Sequence, residues 1–199
     1  ARNPRTAGRH LPTGALRASE LSALTVLAAG VFFFAAAQLN LLALVLAPVA
    51  AAYLVAYPFT KRFTWLASLA LGAALAIAPS GAWIGVLGTL SWEPVLLSCA
   101  VAFWAGSFDI LYHVQDIEFH TKESLHSVAR RFGVVAALRC SSLLDTLALA
   151  CLLALGLWLE LSWLYYLGWS VAAVVLVYKR RLVSTSDLTR LGMNFFRFN

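Results

Sequence analysis

Charged side chains are scarce in this 199-residue chain. Lysine, arginine, aspartate and glutamate together make up 12% of the residues, whereas the hydrophobic residues make up 61%. A soluble domain averages about a quarter charged and about half apolar residues. The shortage of charge therefore excludes an ordinary soluble domain and indicates a protein that crosses a membrane several times.

Cysteine is also rare. The three cysteines, Cys99, Cys140 and Cys151, lie in or near apolar stretches and share no metal-ligand spacing. An odd number of cysteines inside lipid argues against a disulfide framework. We interpret all three as small buried side chains.

Long apolar segments fill most of the chain, and they predict an all-α fold: a polytopic transmembrane helix bundle with six spans. Most segments approach the ~20 residues that a helix needs to cross the hydrocarbon. The fourth is shorter, and we expect its helix to continue past Asp109 into a water-facing region. Residues 82–90 fit either an interfacial loop or an extension of a neighbouring span. The predicted spans are 21–39, 41–57, 63–79, 95–108, 134–155 and 161–178.

Lysine and arginine are missing from every second predicted loop. The loops near Asn40, Trp92 and Glu160 carry neither residue, and the alternate loops carry all of them except Arg139. This is the positive-inside pattern, which places the basic side in the cytoplasm. The pattern also accounts for the net charge of +6 without a nucleic-acid partner. The basic loops are 1–17, 58–62, 109–133 and 179–199.

Ionisable residues are nearly absent from the spans themselves. Asp145 alone looks intramembrane, and we interpret it as a hydrogen-bonded packing residue that pairs with Arg139 or Ser141 on its own helix. A channel or transporter more often places polar groups near the membrane midplane. A transporter is therefore the weaker alternative. The residues give no indication of an oligomeric state.

The stretch FDILYHVQDIEFH, residues 108–120, concentrates ionisable groups at the cytoplasmic end of the fourth span. Asp109, His113, Asp116 and His120 are spaced four, three and four residues apart, with Tyr112 beside them. On one continuous helix they would line a single stripe. Two carboxylates so placed beside lipid are costly unless a cation neutralises them. Mg²⁺ uses one or two carboxylates together with water and substrate phosphate, so the stripe favours a Mg²⁺–diphosphate site.

Two other interpretations of this stripe stay open. One is a solvated cytoplasmic loop, because charge clusters usually mark water-exposed segments. The other is zinc held by His113, Asp116 and His120, because imidazole suits softer metals than Mg²⁺. No cysteine supports the zinc site, and one helix face rarely completes a tetrahedral shell.

Two further segments carry groups that can hold phosphate. Tyr57 and Lys61 in YPFTKR are four residues apart, so on a helix they share a face, and Arg62 can bind a carboxylate with two hydrogen bonds. Interfacial anchoring explains the same residues equally well. The loop RNPRTAGRHLPTG adds Arg5 and Arg9, which either close over phosphates or only satisfy the positive-inside rule.

Three stretches in this order, RNPRTAGRHLPTGALR, YPFTKRFTWL and FDILYHVQDIEFHTKESLHSVARRFG, resemble the UbiA superfamily of intramembrane prenyltransferases. The chain is most similar to bacterial 4-hydroxybenzoate polyprenyltransferases and their menaquinone-pathway relatives. The resemblance implies a nine-helix parent in which this chain supplies helices three to eight. It also implies Mg²⁺-dependent transfer of a polyprenyl group from polyprenyl diphosphate to an aromatic acid such as 4-hydroxybenzoate, within the lipid of the membrane, in ubiquinone or menaquinone biosynthesis.

The resemblance also implies residue roles. The catalytic positions are Asp116, Asp109, Tyr112 and Lys61. The substrate-binding positions are Tyr57, Lys61, Arg62, Arg5, Arg9 and Arg130. The Mg²⁺ positions are Asp109, Asp116 and His120.

The chain departs from the family pattern in two ways. The first aspartate motif should lie just before Ala1, and the chain ends at LGMNFFRFN, which looks like the start of another helix. We therefore expect residues 1–199 to be a single transmembrane domain truncated at both ends. His120 occupies the position of the second aspartate in Asp-x-x-x-Asp, and imidazole is a poor Mg²⁺ ligand. The alternative is a degenerate, non-catalytic member that binds isoprenoid lipid or a partner.

Overall fold

The computed structural model describes the backbone of residues 8–185 and the side chains of residues 8–181. All regular structure in this part is helical, which confirms the all-α fold class. A 3₁₀ helix, Tyr57–Arg62, follows the second α-helix. The α-helices are α1 (Ala18–Leu39), α2 (Leu41–Ala56), α3 (Ala67–Leu87), α4 (Trp92–Gln115), α5 (Ile117–Lys122), α6 (Val128–Phe132), α7 (Val134–Trp158) and α8 (Trp163–Thr185).

Five helices are long and apolar enough to cross a membrane: α1, α2 with its 3₁₀ extension, α3, α4 and α7. The sixth predicted span forms α8, which has 23 residues. It is less apolar than the others because it begins with aromatic residues and carries Lys179, Arg180 and Arg181 near its end. Each of the six predicted apolar spans thus corresponds to one long helix.

Helices α3 and α4 extend beyond the predicted apolar spans. Helix α3 continues through Pro79 to Leu87 and ends at Gly88, whose φ of 68° suits a residue without a Cβ. The ambiguous residues 82–87 are therefore helical. Helix α4 begins at Trp92 and continues past Asp109 to Gln115, as expected.

The tightly packed part of the bundle consists of α3, α4 and α7. A Cβ on Gly72 of α3 would collide with the backbone carbonyl of Ala102 on α4, so glycine is what lets the two backbones meet. On the other side of α4, the buried hydroxyls of Ser107 and Ser141 lie 2.8 Å apart and join α4 to α7. Small residues thus lie at the close contacts of α4 with α3 and with α7.

The ion pair of Asp145 corrects one prediction. Its carboxylate lies 2.8 Å from Nζ of Lys179 on α8, and both residues are buried. The expected partners Arg139 and Ser141 were wrong. A buried carboxylate needs a full opposite charge, and a lysine on the next helix supplies it.

Helices α1 and α2 lie at the edge of the bundle with most of their apolar side chains exposed. Polar contacts attach them to α3. Asn40 caps α2 by accepting from the Ala43 amide at 2.9 Å, and its side chain donates to the carbonyl of Ile84 at 2.7 Å. Tyr53 donates to the carbonyl of Ala70 at 2.9 Å. The exposed faces are chemically suited to lipid or to further helices.

Candidate active site

The acidic stripe is divided between two helices. Helix α4 ends at Gln115, Asp116 caps it with φ −95° and ψ 17°, and α5 begins at Ile117. The expectation of one continuous helix through His120 was therefore wrong. The helix is interrupted at Asp116, which forms the one-residue turn between α4 and α5.

The turn still brings the two histidines together. The rings of His113 and His120 are 4.6 Å apart, centroid to centroid, in an edge-to-face arrangement. His120 is buried, with 4% of its surface exposed. His120, which the family resemblance places at the second aspartate position, thus lies in the interior of the protein and in contact with His113.

A partly buried polar array contacts Asp109. Its Oδ2 lies 3.5 Å from Nε2 of His113. Nδ1 of His113 lies 3.2 Å from the hydroxyl of Ser68 on α3. Because Ser68 is itself buried, the array ties the acidic end of α4 to α3 and restricts the orientation of the Asp109 carboxylate.

The segment YPFTKR lies against the same region. Its 3₁₀ geometry places residues four apart about 120° from each other around the axis, because three residues make one turn. The α-helical geometry on which the shared face of Tyr57 and Lys61 was predicted is therefore not the one observed, and their joint contact with a diphosphate stays a prediction. The carbonyl of Lys61 nevertheless accepts a hydrogen bond of 2.8 Å from the backbone amide of His126, in the loop after α5.

Aromatic contacts add a second connection between these segments. The rings of Trp65 and Phe132 are 5.2 Å apart, and the guanidinium of Arg131 lies 5.6 Å from the Trp65 ring. Two of the three sequence motifs, 57–66 and 108–133, thus form one surface at one end of the bundle.

The predicted substrate-binding arginines lie in three different settings. Arg62 is exposed and lies 5.2 Å from the ring of Phe59. Arg130 is exposed and donates to the carbonyl of Leu125 at 2.7 Å, which stabilises the loop between α5 and α6. Arg9 is exposed within an N-terminal turn, where its carbonyl accepts from Thr13. Arg5 lies outside the described residues.

Metal binding needs several His, Cys, Asp or Glu side chains close together. Among residues 8–185, no three His, Cys, Asp or Glu side chains are grouped to hold a metal ion. The zinc site of His113, Asp116 and His120 is therefore wrong, because zinc needs three or four protein ligands. Mg²⁺ needs fewer protein ligands, because it uses one or two carboxylates and fills its shell with water and phosphate, so Asp109 and Asp116 remain its predicted ligands. The three proposed Mg²⁺ ligands do not form a closed group, and their role stays a prediction.

Sequence comparison then decides the family. The whole chain, residues 1–199, matches the UbiA prenyltransferase family. The chain belongs to this family. This confirms the resemblance that the three motifs suggested.

Individual UbiA relatives agree. The chain is 34% identical over 179 residues to 4-hydroxybenzoate octaprenyltransferase of Vibrio cholerae serotype O1, covering 90% of the chain and 63% of that relative. It is 32% identical over 184 residues to 4-hydroxybenzoate octaprenyltransferase of Aeromonas salmonicida, covering 90% and 62%. The chain thus spans less than two thirds of the length of these relatives.

A solved UbiA structure has the same fold. The apo structure of a UbiA homolog from Aeropyrum pernix K1 superposes with a TM-score of 0.87 and 29% sequence identity. The match covers 97% of this chain and 72% of the homolog. The chain is therefore a multi-pass integral membrane protein of the UbiA type.

The motif analysis overlooked Ser68. A single serine in an apolar span is a weak signal, because such residues often bond only to their own helix. Its position near the start of α3, at the same end of the bundle as the C-terminal end of α4, is the feature that could have identified it.

Proposed function

We propose that this chain is part of an aromatic prenyltransferase of quinone biosynthesis. The reaction transfers a polyprenyl group from polyprenyl diphosphate to an aromatic acid such as 4-hydroxybenzoate. The observation that carries the proposal is the family match over the whole chain, together with relatives named 4-hydroxybenzoate octaprenyltransferase. The acidic array beside YPFTKR supports it, because a diphosphate needs both a cation site and basic groups.

Mg²⁺ is the cation that suits this site, and Asp109 and Asp116 are the groups that would hold it. Bound there, it would neutralise charge that develops on the departing diphosphate. The array from Ser68 through His113 would hold the Asp109 carboxylate in one orientation. His120 would contact the site from the position of the missing aspartate.

The basic residues would act on the diphosphate and the acceptor. In the proposal, Lys61 and Tyr57 contact diphosphate oxygens from the 3₁₀ helix, and Arg62 binds the acceptor carboxylate. The remaining proposed phosphate contacts are Arg5, Arg9 and Arg130.

The bond changes balance within the two substrates. The carbon–oxygen bond between the allylic carbon and diphosphate breaks, and diphosphate leaves with the electron pair. The allylic carbon then bonds to a ring carbon of the phenol, which loses its proton to a base. The apolar bundle would exclude water from the allylic cation, and the polyprenyl tail would extend into the surrounding lipid.

The same proposal places the site at the cytoplasmic side of a bacterial inner membrane. The segments after α2 and α4 and the final part of α8 carry lysine and arginine, whereas the turns at Asn40, Ser91 and Glu160 carry none. Labelling of a single cysteine at Lys122 and at Ser162, in sealed right-side-out and inverted vesicles, tests this orientation. A reagent that cannot cross the membrane should label position 122 only in inverted vesicles.

A non-catalytic, isoprenoid-binding role is the second candidate. It is favoured by one observation: buried His120 packs on His113 at the position of an expected metal-binding aspartate. Binding of a polyprenyl diphosphate without release of diphosphate in a complete assay would establish this role and contradict the enzyme.

The decisive experiment uses the full-length protein in lipid nanodiscs with labelled polyprenyl diphosphate, 4-hydroxybenzoate and Mg²⁺. We expect Asp116→Asn to lower prenyl transfer by roughly 100-fold or more, because one group that stabilises the leaving charge is lost. Chelation of Mg²⁺ in the unmodified protein should have a similar effect.

The matched control is Glu118→Gln, which removes an exposed carboxylate two residues away. It should keep near-normal activity. Equal activity of the two variants would contradict the role of Asp116, provided that both elute as folded protein in size-exclusion chromatography.

A further inference from the structure

The boundary between α7 and α8 is built differently from the rest of the bundle. Tyr165 donates to the carbonyl of Leu152 at 2.7 Å, and the Trp169 indole donates to the carbonyl of Leu149 at 2.9 Å. The ion pair between Lys179 and Asp145 is the third polar contact. The contacts run along two antiparallel helices, and space remains between them.

A basic cavity of about 360 Å³ opens at the cytoplasmic end of this cleft. The residues that line it include Arg139, Ser142, Asp145, Lys179 and Arg180. Lys179 and Asp145 neutralise each other. Arg139 and Arg180 are exposed, and neither forms an ion pair with another residue of the described part of the chain. Two positive charges therefore remain for an external anion.

An apolar cavity of about 280 Å³ continues the cleft towards the membrane interior. Its walls include Leu149 and Leu152 of α7, Ala172 and Leu176 of α8, and Trp104 of α4. From Arg139 to Leu152 is 13 residues of α7, or roughly 20 Å at 1.5 Å per residue. The basic cavity can hold a charged head group, and the apolar cavity can hold a hydrocarbon chain. Together they suit an amphiphile.

We propose that the cleft between α7 and α8 binds one anionic phospholipid of the host membrane. Its phosphate lies between Arg139 and Arg180, within reach of the Ser142 hydroxyl. One acyl chain lies along the apolar cavity. Basic pockets between transmembrane helices on the cytoplasmic side are typical sites for anionic headgroups, and guanidinium groups bind phosphate oxygens with charge-assisted hydrogen bonds.

A lipid explains the cleft better than free phosphate does. Free phosphate would use the arginines but would leave the apolar cavity unfilled. The surface of α7 and α8 is also apolar, with Leu143, Val174 and Val177 exposed. A second acyl chain can lie on this surface while the first occupies the cavity.

This site is separate from the proposed active site. The acidic array faces α3, because His113 bonds to Ser68. The cleft lies on the other side of α4, where Leu111 contributes to its wall. The phospholipid would thus support α8 without contacting the diphosphate.

Native mass spectrometry of the full-length protein, released from detergent with defined lipids, tests the proposal. The unmodified protein should retain one phosphatidylglycerol and no phosphatidylcholine under the same conditions. Each of Arg139→Gln and Arg180→Gln should weaken phosphatidylglycerol binding roughly fivefold, and the double variant roughly 30-fold. Both residues are exposed, so the substitutions leave the core intact.

The matched control is the double variant Arg181→Gln with Lys122→Gln. It removes the same total charge from the same side of the membrane, at exposed positions that do not line the cleft. Binding should remain within twofold of normal. An equal loss in both double variants would show general surface attraction and would overturn the proposal.

Two competition arms identify the source of the phosphate. Millimolar inorganic phosphate or diphosphate should not displace phosphatidylglycerol, because neither fills the apolar cavity. Displacement by either ion would reassign the cleft to free phosphate. Displacement by a polyprenyl diphosphate at equimolar lipid, together with a raised KM in the Arg139→Gln variant, would reassign it to substrate.

Discussion

The two sides of α7 use different residues to pack against their neighbours. Towards α4, buried serines meet and the helices lie close together. Towards α8, aromatic donors reach across to carbonyls of α7, and cavities remain between the helices. In lipid there is no hydrophobic force between helices, so close contact depends on small side chains and polar bonds. Apolar composition alone therefore does not determine whether two membrane helices form a tight interface or a binding cleft.

Glycine illustrates the same contrast. At Gly72 the missing Cβ makes room for the backbone of Ala102. At Gly156 a Cβ would lie 2.5 Å from Cε1 of Tyr165, so the missing Cβ makes room for a ring instead. A backbone cannot yield locally, whereas a ring can rotate. The tight interface should therefore tolerate substitution less well than the open one.

The largest effect is expected from breaking the buried ion pair at the open interface. Lys179→Met leaves the Asp145 carboxylate buried without its cation, which should lower the free energy of unfolding by about 3–5 kcal/mol. Denaturation in mixed detergent micelles, followed by far-ultraviolet circular dichroism, measures the change.

The double variant Lys179→Met with Asp145→Leu serves as the control. Removal of both charges should recover most of the lost stability, because an apolar pair can replace a buried ion pair. A double variant no more stable than the single one would contradict the ion pair as the cause.

Glycine substitution compares the two interfaces directly and should have the next largest effect. Gly72→Ala should lower the free energy of unfolding by about 3 kcal/mol, near the upper end for overpacked cores, because the Ala102 carbonyl cannot move away. Gly156→Ala should cost about 1–2 kcal/mol, since the Tyr165 side chain can shift at the expense of its hydrogen bond to the Leu152 carbonyl. The order of the two values in the same denaturation assay is the test, and a larger loss at Gly156 would reverse the comparison.

The smallest effect is expected from the serine pair. Ser107→Ala removes one hydroxyl at the junction of α4 and α7 and should cost about 0.6 kcal/mol, the average for a hydrogen bond between membrane helices. Ser107→Ala combined with Ser141→Ala should cost little more, because both hydroxyls belong to one bond. Clearly additive losses would show that each hydroxyl has a further partner.

The helices could be predicted because their signal is local. Runs of apolar residues and the one-sided distribution of lysine and arginine identified six helices and located the acidic motif at one end of the bundle. Family motifs then narrowed the function. Each of these features depends only on which residues occur within a short stretch of the chain, so it can be recognised from the sequence alone.

The differences concern a local break in one helix and contacts between distant helices. The period of Asp109, Asp116 and His120 is helical whether or not the helix turns at Asp116, so the pattern could not reveal the junction. The partner of Asp145 is 34 residues away on α8, and Lys179 was counted among the loop residues. The hydrogen bond of Ser68 likewise joins residues that are 45 positions apart. Spacing within one helix carries no information about which neighbour packs against it.

The hydrogen bond from the His126 amide to the Lys61 carbonyl has a practical consequence for mutagenesis. Both partners are main-chain atoms, so alanine scanning of either position leaves the bond intact. Alanine scanning would therefore not detect this connection between YPFTKR and the loop after α5. The connection is also compatible with many different side chains at both positions. Only an imino acid such as His126→Pro, which has no amide hydrogen, would remove it.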